Sequence, residues 1–211
     1  MGGQKDIFAA FLTELDLPDP ESILERFSRY LELLAEINAR VNLVSRATPL
    51  EDYWTKHFLD SLMLLKCMDL SGMNVLDFGS GGGFPGLPLM LAGVDCRMAL
   101  LDSIAKKANA LREMVRALDV HACEVVCSRL EDHQPPAKGR YDFVLCRAVK
   151  MEQRYAGPLA RLLKPSGRVL YYKSATHEDL DAYAPQILLD AQTGWGKRIL
   201  LSVSRQSLIK G

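Results

Sequence analysis

Five of the eight residues from 79 to 86 are glycine, in the order Gly79-Ser80-Gly81-Gly82-Gly83-Phe84-Pro85-Gly86, directly after the apolar run Val75-Leu76-Asp77-Phe78. Glycine accepts positive φ and leaves room where a Cβ would collide. A glycine cluster between a strand and a helix therefore makes a tight turn whose backbone can approach a ligand closely. The dinucleotide fingerprint G-x-G-x-x-G would need glycine where Phe84 stands, and the run reads Asp77-x-Gly79-x-Gly81-x-Gly83 instead. The loop sets the expectation of a nucleotide-like ligand at the end of a strand.

The rest of the chain supplies the context such a loop needs. From residue 73, strand-like runs at Met73–Phe78, Cys96–Leu101, Glu124–Cys127, Tyr141–Cys146 and Arg168–Tyr172 alternate with helical stretches near 86–92, 103–118 and 152–163. That alternation predicts an α/β fold with a mostly parallel, doubly wound sheet. Residues 134–139, Gln-Pro-Pro-Ala-Lys-Gly, read as a loop, and the tail 180–211 as a helix with one or two last strands. Before residue 73 the pattern is helical. Asp19 can cap a helix that has Pro20 at its first position, and Ile23, Leu24, Phe27, Tyr30, Leu31, Leu34 and Ile37 form one apolar stripe. A second start at Thr48-Pro49-Leu50-Glu51 has capping-box spacing and should run through Trp54, Phe58, Leu62 and Leu65. The expected division is a helical extension, 1–70, packed on a Rossmann-like domain, 71–211.

Composition narrows the classes. At 211 residues, 48% hydrophobic and 25% charged, the chain is long enough for a real core and is no disordered or coiled-coil sequence. The apolar stretch Phe84 to Val94 is broken by proline and glycine and is too short to span a membrane. Asp6 and Glu14 bracket any apolar segment a secretory leader would need. Five scattered cysteines without a C-x-x-C pair suggest reduced thiols and a cytoplasmic setting. Cys123 and Cys127 share a strand face and read as packed residues. The histidines His57, His121, His133 and His177 have no zinc spacing and read as surface or capping residues, so no metal is expected. Net charge is zero, with 7 basic against 12 acidic side chains in residues 1–70 and 9 against 5 in residues 151–211. Any polyanion site must then be a local patch.

Individual residues suggest roles. Asp102 ends the second strand 25 residues after Asp77, where a carboxylate can accept from ribose hydroxyls or cap the next helix at Ile104 or Ala105. Arg147 ends the fourth strand, at the edge where open sheets bind ligands. It can hold a carboxylate, contact a phosphate or base edge, or pair with a neighbour such as Asp142. Cys146 can be read as a nucleophile or, as strand-end cysteines usually are, as a packed residue. Lys106, Lys107, Arg112 and Arg116 fall on one predicted helix as a basic face open to RNA or simply to solvent. No phosphate-loop motif G-x-x-x-x-G-K-[ST] and no G-x-S-x-G elbow is present.

The form Asp-x-Gly-x-Gly-x-Gly resembles motif I of class I S-adenosylmethionine-dependent methyltransferases. Further runs resemble one family of these, the bacterial small-subunit ribosomal RNA guanine-N7 methyltransferases, once called glucose-inhibited division protein B. They are residues 38–45 (Asn-Ala-Arg-Val-Asn-Leu-Val-Ser), Lys56-His57-Phe58-Leu59-Asp60-Ser61, Leu76 through Pro88, Leu100-Leu101-Asp102-Ser103, Ser128-Arg129-Leu130-Glu131 and Cys146-Arg147-Ala148. The chain departs from the family at Ile37, where Trp is usual, at Cys146, where Ser is common, and at Lys173-Ser174, where Lys-Gly is usual.

The resemblance implies S-adenosylmethionine as cofactor, held by Asp77, Gly79, Gly81, Phe84, Asp102, Leu130, Glu131 and Arg147, with S-adenosylhomocysteine as product. It also implies N7 of a guanine in 16S ribosomal RNA of the small subunit as acceptor; separately, a monomer is expected. Lys56, His57, Lys106, Lys107 and Arg129 are the candidate RNA contacts. Guanine N7 has a free lone pair and no proton to lose, so direct in-line displacement needs positioning and no general base. Phe84 is a candidate stacker for an exposed or flipped base, as is Tyr53 or Trp54, although helix packing is the favoured reading of these two. The alternatives are a methyltransferase of another RNA, a small molecule or a protein, and a cofactor-binding module without catalysis.

Overall fold

A computed structural model describes residues 3–135, 139–174 and 176–211, so residues 136–138 of the proline-rich loop lie outside the described residues. Its centre is a seven-stranded sheet in the order β3-β2-β1-β4-β5-β7-β6. The strands are β1 Asn74–Phe78, β2 Arg97–Asp102, β3 Cys123–Cys127, β4 Tyr141–Arg147, β5 Leu163–Lys173, β6 Gln186–Thr193 and β7 Gly196–Ser204. The first five pair in parallel, and β7 pairs antiparallel with both β5 and β6. Strand order reverses at β1, which has β2 on one side and β4 on the other. In an open sheet this switch point, beyond the carboxyl ends of the strands, is where a ligand crevice forms.

The expected elements are present, with three differences. β5 begins five residues before the predicted Arg168 because Leu163 pairs with Tyr141 ahead of a bulge, and Pro165 and Gly167 hide that pairing in the sequence. The tail adds two strands, and its helical part divides into a 3-10 turn, Glu178–Tyr183, and α7, Arg205–Lys210. The helix expected over 49–65 is a composite: a 3-10 turn Leu50–Asp52, a π segment Trp54–Leu59, α3 Asp60–Leu62 and a 3-10 turn Met63–Lys66. Carbonyls in this stretch serve side chains from the sheet, Lys56 O accepting from Arg147 at 2.6 Å and Ser61 O from Tyr172 at 3.0 Å. A helix whose carbonyls take outside donors departs from regular i→i+4 winding.

Each face of the sheet is covered. The period-2 alternation of the strands divides their side chains between two clusters, with Val75, Leu100 and Leu145 on one face and Leu76, Leu101, Val144 and Cys146 on the other. The second face is closed by α6, Gln153–Leu162, and α7. On the first face lie α4, Gly86–Leu91, and α5, Ala105–Ala117, together with the N-terminal α1, Gln4–Glu14, and α2, Pro20–Arg40. Asp19 caps α2 as expected, accepting from Ser22 N at 3.2 Å. Phe8, Phe27, Tyr30 and Phe58 are fully buried and meet ring to ring at 4.8–6.1 Å. These residues belong to the same apolar cluster as Val75 and Leu100, so the helical segment and the sheet share one core.

Two contacts carry that core to the glycine loop. The Tyr30 hydroxyl donates to Gly82 O. Asn38 accepts from Leu43 N at 2.8 Å and Val44 N at 3.1 Å, folding the following turn so that Val44 packs over Gly82. A Cβ at Gly82 would come within 2.8 Å of Val44 Cγ2.

Candidate active site

The loop after β1 is fixed from both sides. Gly79 N and Ser80 N donate to Leu101 O of β2 at 2.9 and 3.1 Å, which turns the chain away from the sheet. Gly79 and Gly81 have φ of +77° and +55°, and a Cβ at Gly79 would meet Val149 Cγ2 at 2.9 Å. Glycine is required there by both backbone and space.

Asp77 lies beneath the loop. It is fully buried, its Oδ2 accepts from Gly86 N at 3.0 Å, and among the described residues its Oδ1 has no hydrogen-bond partner. Burial is the main reason its pKa rises to about 7. Asp77 thus ties β1 to the first turn of α4, and a Cβ on Gly86 would come within 2.9 Å of its Oδ2.

Beyond β1 and β2 opens a cavity of about 460 Å³, within the roughly 300–1,000 Å³ typical of small-molecule sites. Gly79, Gly81, Asp102, Leu130 and Glu131 all line it, as do two of the proposed RNA contacts, Lys107 and Arg129. Asp102 caps and supports at once: Oδ1 accepts from Ile104 N at 2.9 Å and Oδ2 from Gly81 N at 3.1 Å. A carboxylate with two fixed N–H partners still has lone pairs to offer. Ile104, Phe78 and Tyr155 give the cavity an apolar wall that the sequence did not single out. Ile104 is 45% exposed, unusual for isoleucine, and stands two residues after Asp102, which is the signal that could have marked it.

Across β1, Arg147 is locked in place. Its Nε meets Asp60 Oδ2 at 3.0 Å, and its Nη2 donates to Lys56 O at 2.6 Å and to His57 Nδ1 at 3.1 Å. Among the described residues its Nη1 reaches only Ser61 Oγ, at 3.5 Å, and the guanidinium lies 5.4 Å from the Phe84 ring centroid. Asp60 also accepts from Arg198 Nε at 2.7 Å. The ion-pair partner of Arg147 is therefore Asp60 and not Asp142, which binds Lys164 at 2.8 Å. Arg147 reaches these partners from β4 and does not line the larger cavity.

Several expectations need correcting. The ring of Phe84 is buried and stacks on His57 at 5.0 Å, so it is not free to stack on a base, while Tyr53 and Trp54 take the favoured alternative of helix packing, edge-on to His57 and Phe58. His57 is not a surface residue. Arg147 can only donate, so Nδ1 of His57 accepts and Nε2 carries the proton, buried and, among the described residues, without a partner. Burial, aided by Arg147, holds its pKa down to about 3. His133 is also buried, against the Tyr141 hydroxyl at 2.9 Å. Cys146 is buried and its thiol pKa is pushed up by desolvation, which removes it as a nucleophile. Lys56 pairs with Asp52 at 2.7 Å. On α5 the basic face divides: Lys106 is exposed, Lys107 turns to the cavity, and Arg112 donates to Val125 O at 3.1 Å. Among the described residues, no cluster of His, Cys, Asp or Glu could hold a metal ion, and no helix is long and apolar enough to cross a membrane.

The rRNA small subunit methyltransferase G profile matches residues 23–191. The chain belongs to that family. Family membership makes it an rRNA methyltransferase. Relatives carrying the same name include a protein of Syntrophus aciditrophicus, 32% identical over 82% of this chain and 72% of its own length. Another, from Leuconostoc mesenteroides, is 36% identical over 74% of this chain and 68% of its own length. Among solved structures, a SAM-dependent methyltransferase from Aquifex aeolicus superposes with a TM-score of 0.58 at 17% identity, covering 81% of this chain and 98% of the other. An O-methyltransferase from Bacillus cereus in complex with SAH gives 0.58 at 16% identity over 83% and 90%. These two show that the fold is the class I methyltransferase fold anticipated from the glycine loop.

Proposed function

We propose that the chain transfers a methyl group from S-adenosylmethionine to N7 of one guanine in 16S ribosomal RNA, acting in the cytoplasm on the small subunit or its precursor. The observation that carries this reading is the single cavity that joins the Gly79 and Gly81 backbone to the Asp102 carboxylate at the end of β2. A diol-bearing nucleoside fits those groups: Asp102 accepts from the ribose hydroxyls, Ile104 and Leu130 flank the base, and the glycine turn lets the amino-acid end pass close to the backbone. Arg147 is the candidate for the carboxylate of that end, through Nη1, its most weakly held nitrogen. When bound, the cofactor supplies an electrophilic methyl on a sulfonium.

The protein's own groups then position and exclude. Asp77 and Cys146 are buried, and His57 is neutral with its acceptor nitrogen occupied, so none of these three is placed to remove a proton. An acceptor with a free lone pair, such as guanine N7, requires none. The guanidinium lattice of Arg147 and Arg198 on Asp60 fixes the wall against which the base is aligned.

The test is transfer of labelled methyl to small subunits lacking the modification, with free nucleosides and peptides assayed in parallel. Label in 16S RNA alone is expected. Label in nucleosides or peptides instead would move the substrate elsewhere, and cofactor binding without any transfer would leave a binding module.

A further inference from the structure

Beside the cofactor-sized cavity lies a smaller one of about 180 Å³, past the carboxyl ends of β4 and β5 and the start of β7. Arg147, Lys173, Ser174 and Arg198 line it together with Asp60. Its charges do not cancel. Asp60 is the one carboxylate shared by Arg147 and Arg198, while Lys173 is matched by Asp179 at 2.6 Å, so one positive charge is left over. A sulfonium amino acid is itself net cationic, so binding it next door does not remove this surplus. The donors are also incompletely used. Arg198 gives Nε to Asp60 and Nη1 to Lys197 O, and among the described residues its Nη2 makes no hydrogen bond.

A half-buried pocket with one surplus positive charge and an unused guanidinium N–H suits a singly charged oxyanion. In a chain of zero net charge, attraction to RNA must come from patches of this kind. A guanine turned into the cleft brings its flanking phosphates with it. We propose that this pocket seats one backbone phosphate of the RNA strand next to the target guanine, with Arg198 Nη2 and the Lys173 ammonium as its donors. Asp60 is then a positioning residue that orients Arg147 toward one side of the wall and Arg198 toward the other. This inference rests on the RNA reading above and names where that RNA is gripped.

The experiment is binding of 16S ribosomal RNA by the full chain in the presence of S-adenosylhomocysteine, measured without turnover over a series of KCl concentrations. Losing one phosphate contact should weaken binding about 5- to 10-fold in Arg198→Gln and lower the slope of log affinity against log salt by roughly 0.7 to 1. Arg198→Lys, which keeps a point charge, should restore most of the slope. S-adenosylhomocysteine affinity, measured by calorimetry, should be the same in all three proteins, which shows that the cofactor cavity is intact. An unchanged salt slope in Arg198→Gln would overturn the proposal whatever happens to affinity, and so would a parallel loss of cofactor affinity. Because the readout is binding, normal RNA binding without methyl transfer would fail the catalytic reading and leave the phosphate seat standing.

Discussion

On the β2 side of β1 the site is made largely of backbone: a glycine turn held by Leu101 O, capped N–H groups, and one carboxylate lodged against Gly81 and Ile104. On the β4 side it is made of charged side chains drawn from distant parts of the chain, Arg147 meeting Lys56 across 91 residues and Arg198 meeting Asp60 across 138. The first side leaves a cavity of about 460 Å³, the second one of about 180 Å³ lined by ion pairs. A backbone cradle suits a small ligand of fixed shape. A pinned lattice of guanidiniums suits a large polyanion that must be held in one register. The contrast teaches that the two sides of β1 are built by different means, so that on the proposed reading the cofactor and acceptor sides can be damaged separately.

The largest effect should come from Arg147→Ala. It removes the residue that stands between the two sides, and loss of alignment of this kind costs about 100-fold in turnover. Asp60 keeps Arg198, so the variant should still fold, with a lowered melting temperature. Full activity in a methyl-transfer assay would break the comparison, because it would show that the pinned side has no part in the reaction.

Asp102→Ala tests the cradle. Removing a charged hydrogen-bond acceptor worth about 1.5–3 kcal/mol should weaken S-adenosylmethionine binding by roughly 10- to 100-fold in calorimetry. RNA binding should be left within twofold, and an unaltered cofactor affinity would reject the ribose contact.

A smaller effect is expected from Tyr30→Phe, which deletes the bond from α2 to Gly82 O. The loss of about 1 kcal/mol should lower the melting temperature by roughly 2–4 °C. Cofactor affinity should fall a few-fold as the glycine loop loosens. A variant that melts lower yet binds cofactor unchanged would show that the helical segment supports the core and not the loop.

The subtlest prediction sets the two sides against each other in pH. Asp77, raised to about 7 by burial, keeps a proton that the unfolded chain gives up near 3.8, so this group makes stability fall as pH rises from about 4 to 7. His57, held down to about 3, stays neutral while the unfolded chain takes up a proton below 6.5, so it makes stability fall as pH drops from about 6.5 to 3. The slopes oppose each other where the windows overlap. Relative to the parent, His57→Gln should therefore lose stability on going from about pH 4 to 6.5, and Asp77→Asn should gain it, in urea denaturation at several pH values. Two variants with the same pH dependence as the parent would contradict the buried states assigned to both groups.

How much of this was legible in the sequence follows the same division. The cradle is local. Glycines, the strand before them and an acidic residue at the next strand end are read directly, and Gly79, Gly81, Asp102, Leu130 and Glu131 do meet in one cavity. The pinned side is not local. Nothing in the spacing of Asp60, Arg147 and Arg198 says that one carboxylate serves two arginines, because β7 reaches that edge only through the antiparallel tail of the sheet. The aromatic residues divide in the same way. Tyr53 and Trp54 pack in the core as their helical spacing favours, whereas the burial of Phe84 under α2 does not show in a one-dimensional pattern. The composite helix at 50–66 was hidden as well, since its irregular winding answers to Arg147 and Tyr172 from elsewhere in the chain.

The measurement that bears most directly on the central claim is the chemical position of the transferred methyl group. Small subunits lacking the modification, treated with the protein and S-adenosylmethionine, would be reduced with borohydride and cleaved with aniline, which breaks the RNA strand where guanine carries a methyl at N7. The account predicts one new strand break in 16S RNA that requires both protein and cofactor. Methyl incorporation without a break would place the methyl on another atom, and would contradict both the guanine-N7 assignment and the argument that the reaction proceeds without a base.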